Sequence, residues 1–165
     1  MNITKNFTMA EMIKSQTASR RGFDNTPGTN EVINLVYLAQ RVLQPVRDIV
    51  GPIIVSSGYR SNLVNNAIGS GIYSQHTLGQ AVDIESIDPD ISTAQLGQYI
   101  IDNIPEFDQL ILEHFDPSVD GDPKSGWVHV SYQNPDLGYS PNRNERLITY
   151  DSNGVVSYKT VANFL

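Results

Sequence analysis

The sequence contains no cysteine. That excludes disulfide frameworks, thiolate metal sites and cysteine nucleophiles together, so any bound metal must be held by histidine and carboxylate. Basic residues are scarce: 11 Lys and Arg stand against 18 Asp and Glu, for a net charge of -7 and a pI near 4.7. Binding mainly through phosphates needs a basic face to release counterions, so neither nucleic acid nor an anionic membrane is an expected partner. No stretch approaches the roughly 18 consecutive apolar residues that span a bilayer, so no membrane insertion is expected. Met1 to Asn6 lack the apolar core of a secretory signal, and we expect synthesis in the cytoplasm without a signal peptide. Histidine is rare too, three in the chain, which makes the setting of each informative.

The 165 residues suit a single domain, 1–165, with its own core. Thr8-Met9-Ala10-Glu11 has the form of a capping box and predicts a short helix, followed by a connection over residues 15–30. From Asn30, apolar residues from Val32 to Ile49 recur at three- and four-residue steps, predicting the main core helix, with a kink or new start at Pro45 and a stop at Gly51-Pro52. Strands are predicted at Pro52 to Ser56, Gln80 to Ile84, Gln109 to Glu113 and Trp127 to Ser131, the last two as an antiparallel pair. A helical turn is expected over Asn62 to Ile68, and a second capping box, Ser92 with Gln95, opens a helix that Pro105 closes. Arg146 to Tyr150 and Val155 to Thr160 flank Asp151-Ser152-Asn153-Gly154, predicting a hairpin appended to a core of about 30–132, within a polar extension over 133–165.

His76 lies in a loop and Asp83 on the strand after it, with a turn at Gly79 between them that lets both side chains converge; His129 sits mid-strand. Two histidines and a carboxylate form a donor set suited to zinc and leave a fourth tetrahedral position open. Spacing alone does not separate this from satisfied core histidines and a turn carboxylate.

Three ordered blocks go further: Ser56-Ser57-Gly58-Tyr59-Arg60-Ser61, then Ser74-Gln75-His76 through Gly79-Gln80-Ala81-Val82-Asp83, then Trp127-Val128-His129-Val130. Together they resemble the signatures of the zinc D-alanyl-D-alanine carboxypeptidase family, which includes phage endolysins and L-alanyl-D-glutamate endopeptidases. Asn6-Phe7-Thr8 and Asp24-Asn25 are similar to its phage and prophage branch. The resemblance implies an α+β fold like that of the hedgehog domain, a small antiparallel sheet packed by helices, with Zn2+ on the residues matching His76, Asp83 and His129. It also implies hydrolysis of peptide bonds in the stem or cross-link peptides of peptidoglycan, by an endolysin or virion-associated hydrolase acting on the cell wall after release or as part of a virion. Carboxypeptidase and endopeptidase members share these motifs, so the bond cut is not read from them.

The chemistry needs a general base. Many relatives place a glutamate three residues before the last histidine, where this chain has Gly126. Glu113 is the candidate, because pairing it across from Trp127 would set it on the face of His129; His114 and Asp116 are its rivals. Arg60 is expected to bind a substrate carboxylate through bidentate hydrogen bonds or to steady an oxyanion. Ser74 and Tyr59 are expected at the substrate, and Trp127 as structural. The alternative is a non-catalytic wall-binding or phage structural module that keeps zinc for folding, a reading to which Gly126 lends weight.

Overall fold

Strand residues alternate between the two faces of a sheet, and here the alternation separates core from chemistry. The computed structural model describes residues 1–116, 122–152 and 155–165. Six strands, β1 (Ile53–Ser57), β2 (Ala81–Ser86), β3 (Gln109–Glu113), β4 (Trp127–Ser131), β5 (Glu145–Ser152) and β6 (Val155–Thr160), form one sheet in the order β1-β2-β4-β3-β5-β6. All pairs are antiparallel except β3 with β5. Val82, Ile84, Leu110, Leu112, Val128 and Val130 are buried in the hydrophobic core. The intervening residues Asp83, Ile111, Glu113, Trp127 and His129 occupy the opposite face. The fold is therefore α+β, as expected.

Helices α1 (Met9–Ile13), α2 (Gln16–Arg21), α3 (Thr29–Leu38), α4 (Gln44–Val50), α5 (Asn62–Ala67) and α6 (Thr93–Asn103) complete the chain. Both capping boxes form, at Thr8 with Glu11 and at Ser92 with Gln95. The long amphipathic helix is divided: five residues, Ala39–Leu43, form a π-turn between α3 and α4. Pro45 lacks an N–H and crowds the preceding turn, and the wider turn just before it relieves both without breaking the buried face of Leu35, Leu38, Val42, Leu43 and Val46.

Three expectations change. The connection over residues 15–30 contains α2, started by Ser15 accepting from the Ala18 N–H and ended by Gly22 at φ 66. These are ordinary helix-boundary signals hidden in a polar, aperiodic stretch. The core reaches beyond 30–132, since Ile3, Phe7 and Met12 belong to the same cluster. The C-terminal hairpin is not an appended ribbon: β5 extends the main sheet beside β3, with Leu147 buried and Ile148 packed against the core. Its strands pair as far as Ser152 with Val155, and the expected turn tip at Asn153-Gly154 lies outside the described residues.

Candidate active site

Asp83 of β2 pairs with His129 of β4, which pairs in turn with Ile111 of β3. Cross-strand partners share a face, so the register alone sets Asp83 beside His129. His76 reaches them from a single 3-10 turn, Gln75–Leu78. That turn ends at Gly79 with φ 67, where a Cβ would fall 2.5 Å from the Glu31 carbonyl oxygen, so only glycine allows the chain to swing from His76 into β2. All three side chains are buried.

Their donor atoms form a small triangle. His76 Nε2 lies 3.2 Å from Asp83 Oδ1 and 3.2 Å from His129 Nδ1, and His129 Nδ1 lies 3.0 Å from Asp83 Oδ1. Ligands about 2.0–2.1 Å from a tetrahedral ion stand roughly 3.3 Å apart, so this donor set fits a zinc ion closely and leaves one apex open. The second ring nitrogen of His76 donates to the Gly58 carbonyl at 2.7 Å, which fixes the tautomer that presents Nε2 as a lone pair. Burial lowers the His76 pKa more than Asp83 raises it, favouring the neutral ligand form. Burial pushes the Asp83 carboxyl up, but the two imidazoles that close around it outweigh burial and hold Asp83 well below the usual carboxylate range.

The Ser-Gly-Tyr-Arg block now has a physical role. Gly58 orients His76, while Arg60 Nη2 binds Asp83 Oδ2 at 2.7 Å and its Nε donates to Ser57 Oγ at 2.9 Å. Arg60, expected at the substrate, lines the cleft but directs two donors at the ligand carboxylate and its support. Asn25 braces this loop, donating to the carbonyls of Ile13 and Tyr59 and accepting from the Ser61 N–H. Tyr59 does not flank the cleft; its side chain is 8% exposed and belongs to the core, because the loop turns it inward as Arg60 turns out. Ser74 lines the cleft beside His76.

Glu113 pairs with Trp127, accepts its indole Nε1–H at 2.9 Å and borders the same cavity as His76 and His129. Neither rival borders that cavity, although His114 lines the adjoining one together with Glu113 and Asp83. His114, at φ 51, packs its ring on Trp127 at 4.9 Å, and Asp116 borders a separate cavity with His114 and Tyr150. Trp127 also lines the cleft, so it is not only structural. Gly126, at φ 67, explains why no side chain stands at that position: a Cβ there would fall 2.1 Å from the Glu113 carbonyl oxygen and 2.5 Å from the His114 carbonyl carbon.

Sequence reading missed Ser57 and the Gly58 carbonyl, whose parts depend on tertiary contacts, and the cleft-lining residues Thr149 and Tyr158 of the hairpin. Only strand alternation could have found the last two, and only once β5 was known to join the sheet.

Among known proteins, the family model described as peptidase M15 matches residues 5–115, a span that holds His76, Asp83 and Glu113 and stops short of His129. No curated protein matches the chain. The match covers well over half of the sequence, and the chain therefore belongs to the peptidase M15 family, a family of hydrolases.

Proposed function

We propose that this peptidase is a zinc enzyme that hydrolyses peptide bonds in the stem or cross-link peptides of bacterial peptidoglycan, encoded by a phage as an endolysin or virion-associated hydrolase. The observation that carries this reading is the triangle of His76, Asp83 and His129 donors, with Glu113 on the same cavity. The phage assignment rests on the likeness of residues 6–8 and 24–25 to that branch.

A bound zinc ion supplies Lewis-acid polarisation of the scissile carbonyl and a lowered pKa for water. The chain's own residues do the rest. Glu113 takes the proton from the attacking water and delivers it to the leaving amine. The Trp127 indole holds one of its carboxylate oxygens, Oε2, which leaves Oε1 for the proton. Arg60 keeps Asp83 from rotating away from the donor triangle. Gly126 lends weight to a non-catalytic module; the position of Glu113, on another strand of the same cleft, supports the hydrolytic reading instead.

The test incubates zinc-loaded protein with purified peptidoglycan and soluble muropeptides, with products read by mass spectrometry. Wild type releases peptide fragments whose masses report the bond cut; His76→Ala and His129→Ala lose zinc by elemental analysis and release none. Absence of cleavage by fully loaded wild type would refute the enzyme reading.

A further inference from the structure

The family match ends at residue 115 and does not reach the C-terminal hairpin. Leu112 of β3 stands opposite Ile148 of β5, and Thr149 of β5 stands opposite Tyr158 of β6. Glu113 and Thr149 each follow that first pair by one residue, so both turn to the cleft face, with Trp127 opposite Glu113 on β4. A single row thus crosses four strands: Trp127, Glu113, Thr149 and Tyr158. Val156, two residues before Tyr158, shares the face, and all five border one cavity of about 710 Å³.

A second cavity of about 470 Å³ adjoins the first and holds His76 and His129. Arg60, Ser70, Gly71, Glu113 and Tyr158 border both, which places Tyr158 at the junction, next to the base. Ile72 and Tyr73, 74% and 90% exposed, border the second cavity together with Tyr158, itself 58% exposed. Apolar surface is therefore left uncovered where these two cavities adjoin beside Glu113. Partial burial and the neighbouring Glu113 charge raise the Tyr158 pKa, so its hydroxyl stays a proton donor at neutral pH.

We propose that β6 is a wall of the substrate cleft and that Tyr158 is a substrate-positioning residue, its ring packing on the peptide and its hydroxyl donating to a main-chain carbonyl beside the scissile bond. This rests on the reading of the cleft as a peptidase site. Tyr158→Ala is expected to raise KM for muropeptide hydrolysis about tenfold, the loss of an aromatic contact and a hydrogen bond, with kcat within about threefold. Tyr158→Phe, which keeps the ring, falls between. Zinc content and unfolding midpoint stay at wild-type values in both, whereas a merely structural residue would move the midpoint and leave KM alone. Sedimentation with insoluble peptidoglycan in a Glu113→Gln background reads binding without turnover, and adding Tyr158→Ala there weakens it about tenfold. Unchanged KM with unchanged binding, or a loss confined to kcat, would overturn the proposal. If wild type cleaves nothing yet the binding loss appears, the hydrolytic reading fails and the cleft wall stands; if wild type neither cleaves nor binds, both fall.

Discussion

Replacing Gly126 with alanine adds one carbon where the backbone leaves no room. The left-handed conformation at φ 67 costs a non-glycine residue about 1–2 kcal/mol. The new Cβ would meet the Glu113 carbonyl oxygen at 2.1 Å, the His114 carbonyl carbon at 2.5 Å and the Phe115 nitrogen at 2.6 Å, all backbone atoms that cannot rotate aside. Overpacking of that kind adds about 1–3 kcal/mol. A total near 3 kcal/mol corresponds to a fall in Tm of about 6–12 °C for a domain of this size. Thermal and urea unfolding of Gly126→Ala measure it. The displaced atoms belong to Glu113 and its neighbours, so hydrolysis falls as well at temperatures where both proteins are folded, while bound metal is retained. A variant within about 0.5 kcal/mol of wild type would show that β3 and β4 do not approach as described, and with that the argument for Glu113 in place of a glutamate at 126 would fail.

Glu113→Gln keeps an acceptor for the Trp127 indole and cannot take a proton; turnover falls by about two to four orders of magnitude with zinc content unchanged, and undiminished turnover would assign the base elsewhere. Arg60→Ala frees Asp83 Oδ2 and lowers zinc affinity about 10–100-fold in chelator competition; unaltered affinity would show that Arg60 does not orient the ligand. Asp108, fully buried, accepts from Arg143 at 2.8 and 2.7 Å and from Gln75 at 2.8 Å. Burial raises its pKa, but these bonds outweigh burial and hold it below the ordinary carboxyl value of 3.8. Its stabilisation is therefore present above pH 3.8 and lost as pH falls from there through the folded pKa. Asp108→Asn costs about 2–3 kcal/mol at pH 7, and the gap to wild type narrows below pH 3.8; a gap independent of pH would mean the carboxylate charge contributes nothing.

Local signals carried most of the elements. Capping boxes at Thr8 and Ser92, the periodicity from Val32 to Ile49 and the β-branched runs each mark structure within a few residues of themselves. The antiparallel pairing of Glu113 with Trp127 was legible because both strands and their short separation were. What escaped depends on distant segments. Tyr59 looks like a cleft residue in its motif, yet the Tyr59 N–H bonds to the Met12 carbonyl, forty-seven residues away, and the ring follows the core. The parallel pairing of β3 with β5 leaves no mark in either strand's composition, so the hairpin's place in the cleft could not be read. Asp83 carried the opposite ambiguity: its two histidines and its arginine come from three separate segments.

The strand order has one more consequence. β4 lies between β2 and β3 although it is made after both. Until residues 127–131 insert, β2 and β3 have no partner on their facing edges, and the chain must close long loops before the central pairings reward it. His129 rides on that inserting strand. A nascent or partly folded chain therefore holds His76 and Asp83 without His129, and the donor triangle is assembled only when β4 joins the sheet. A metal held by the three side chains would thus tie His129, and with it the insertion of β4, to the segments that carry His76 and Asp83.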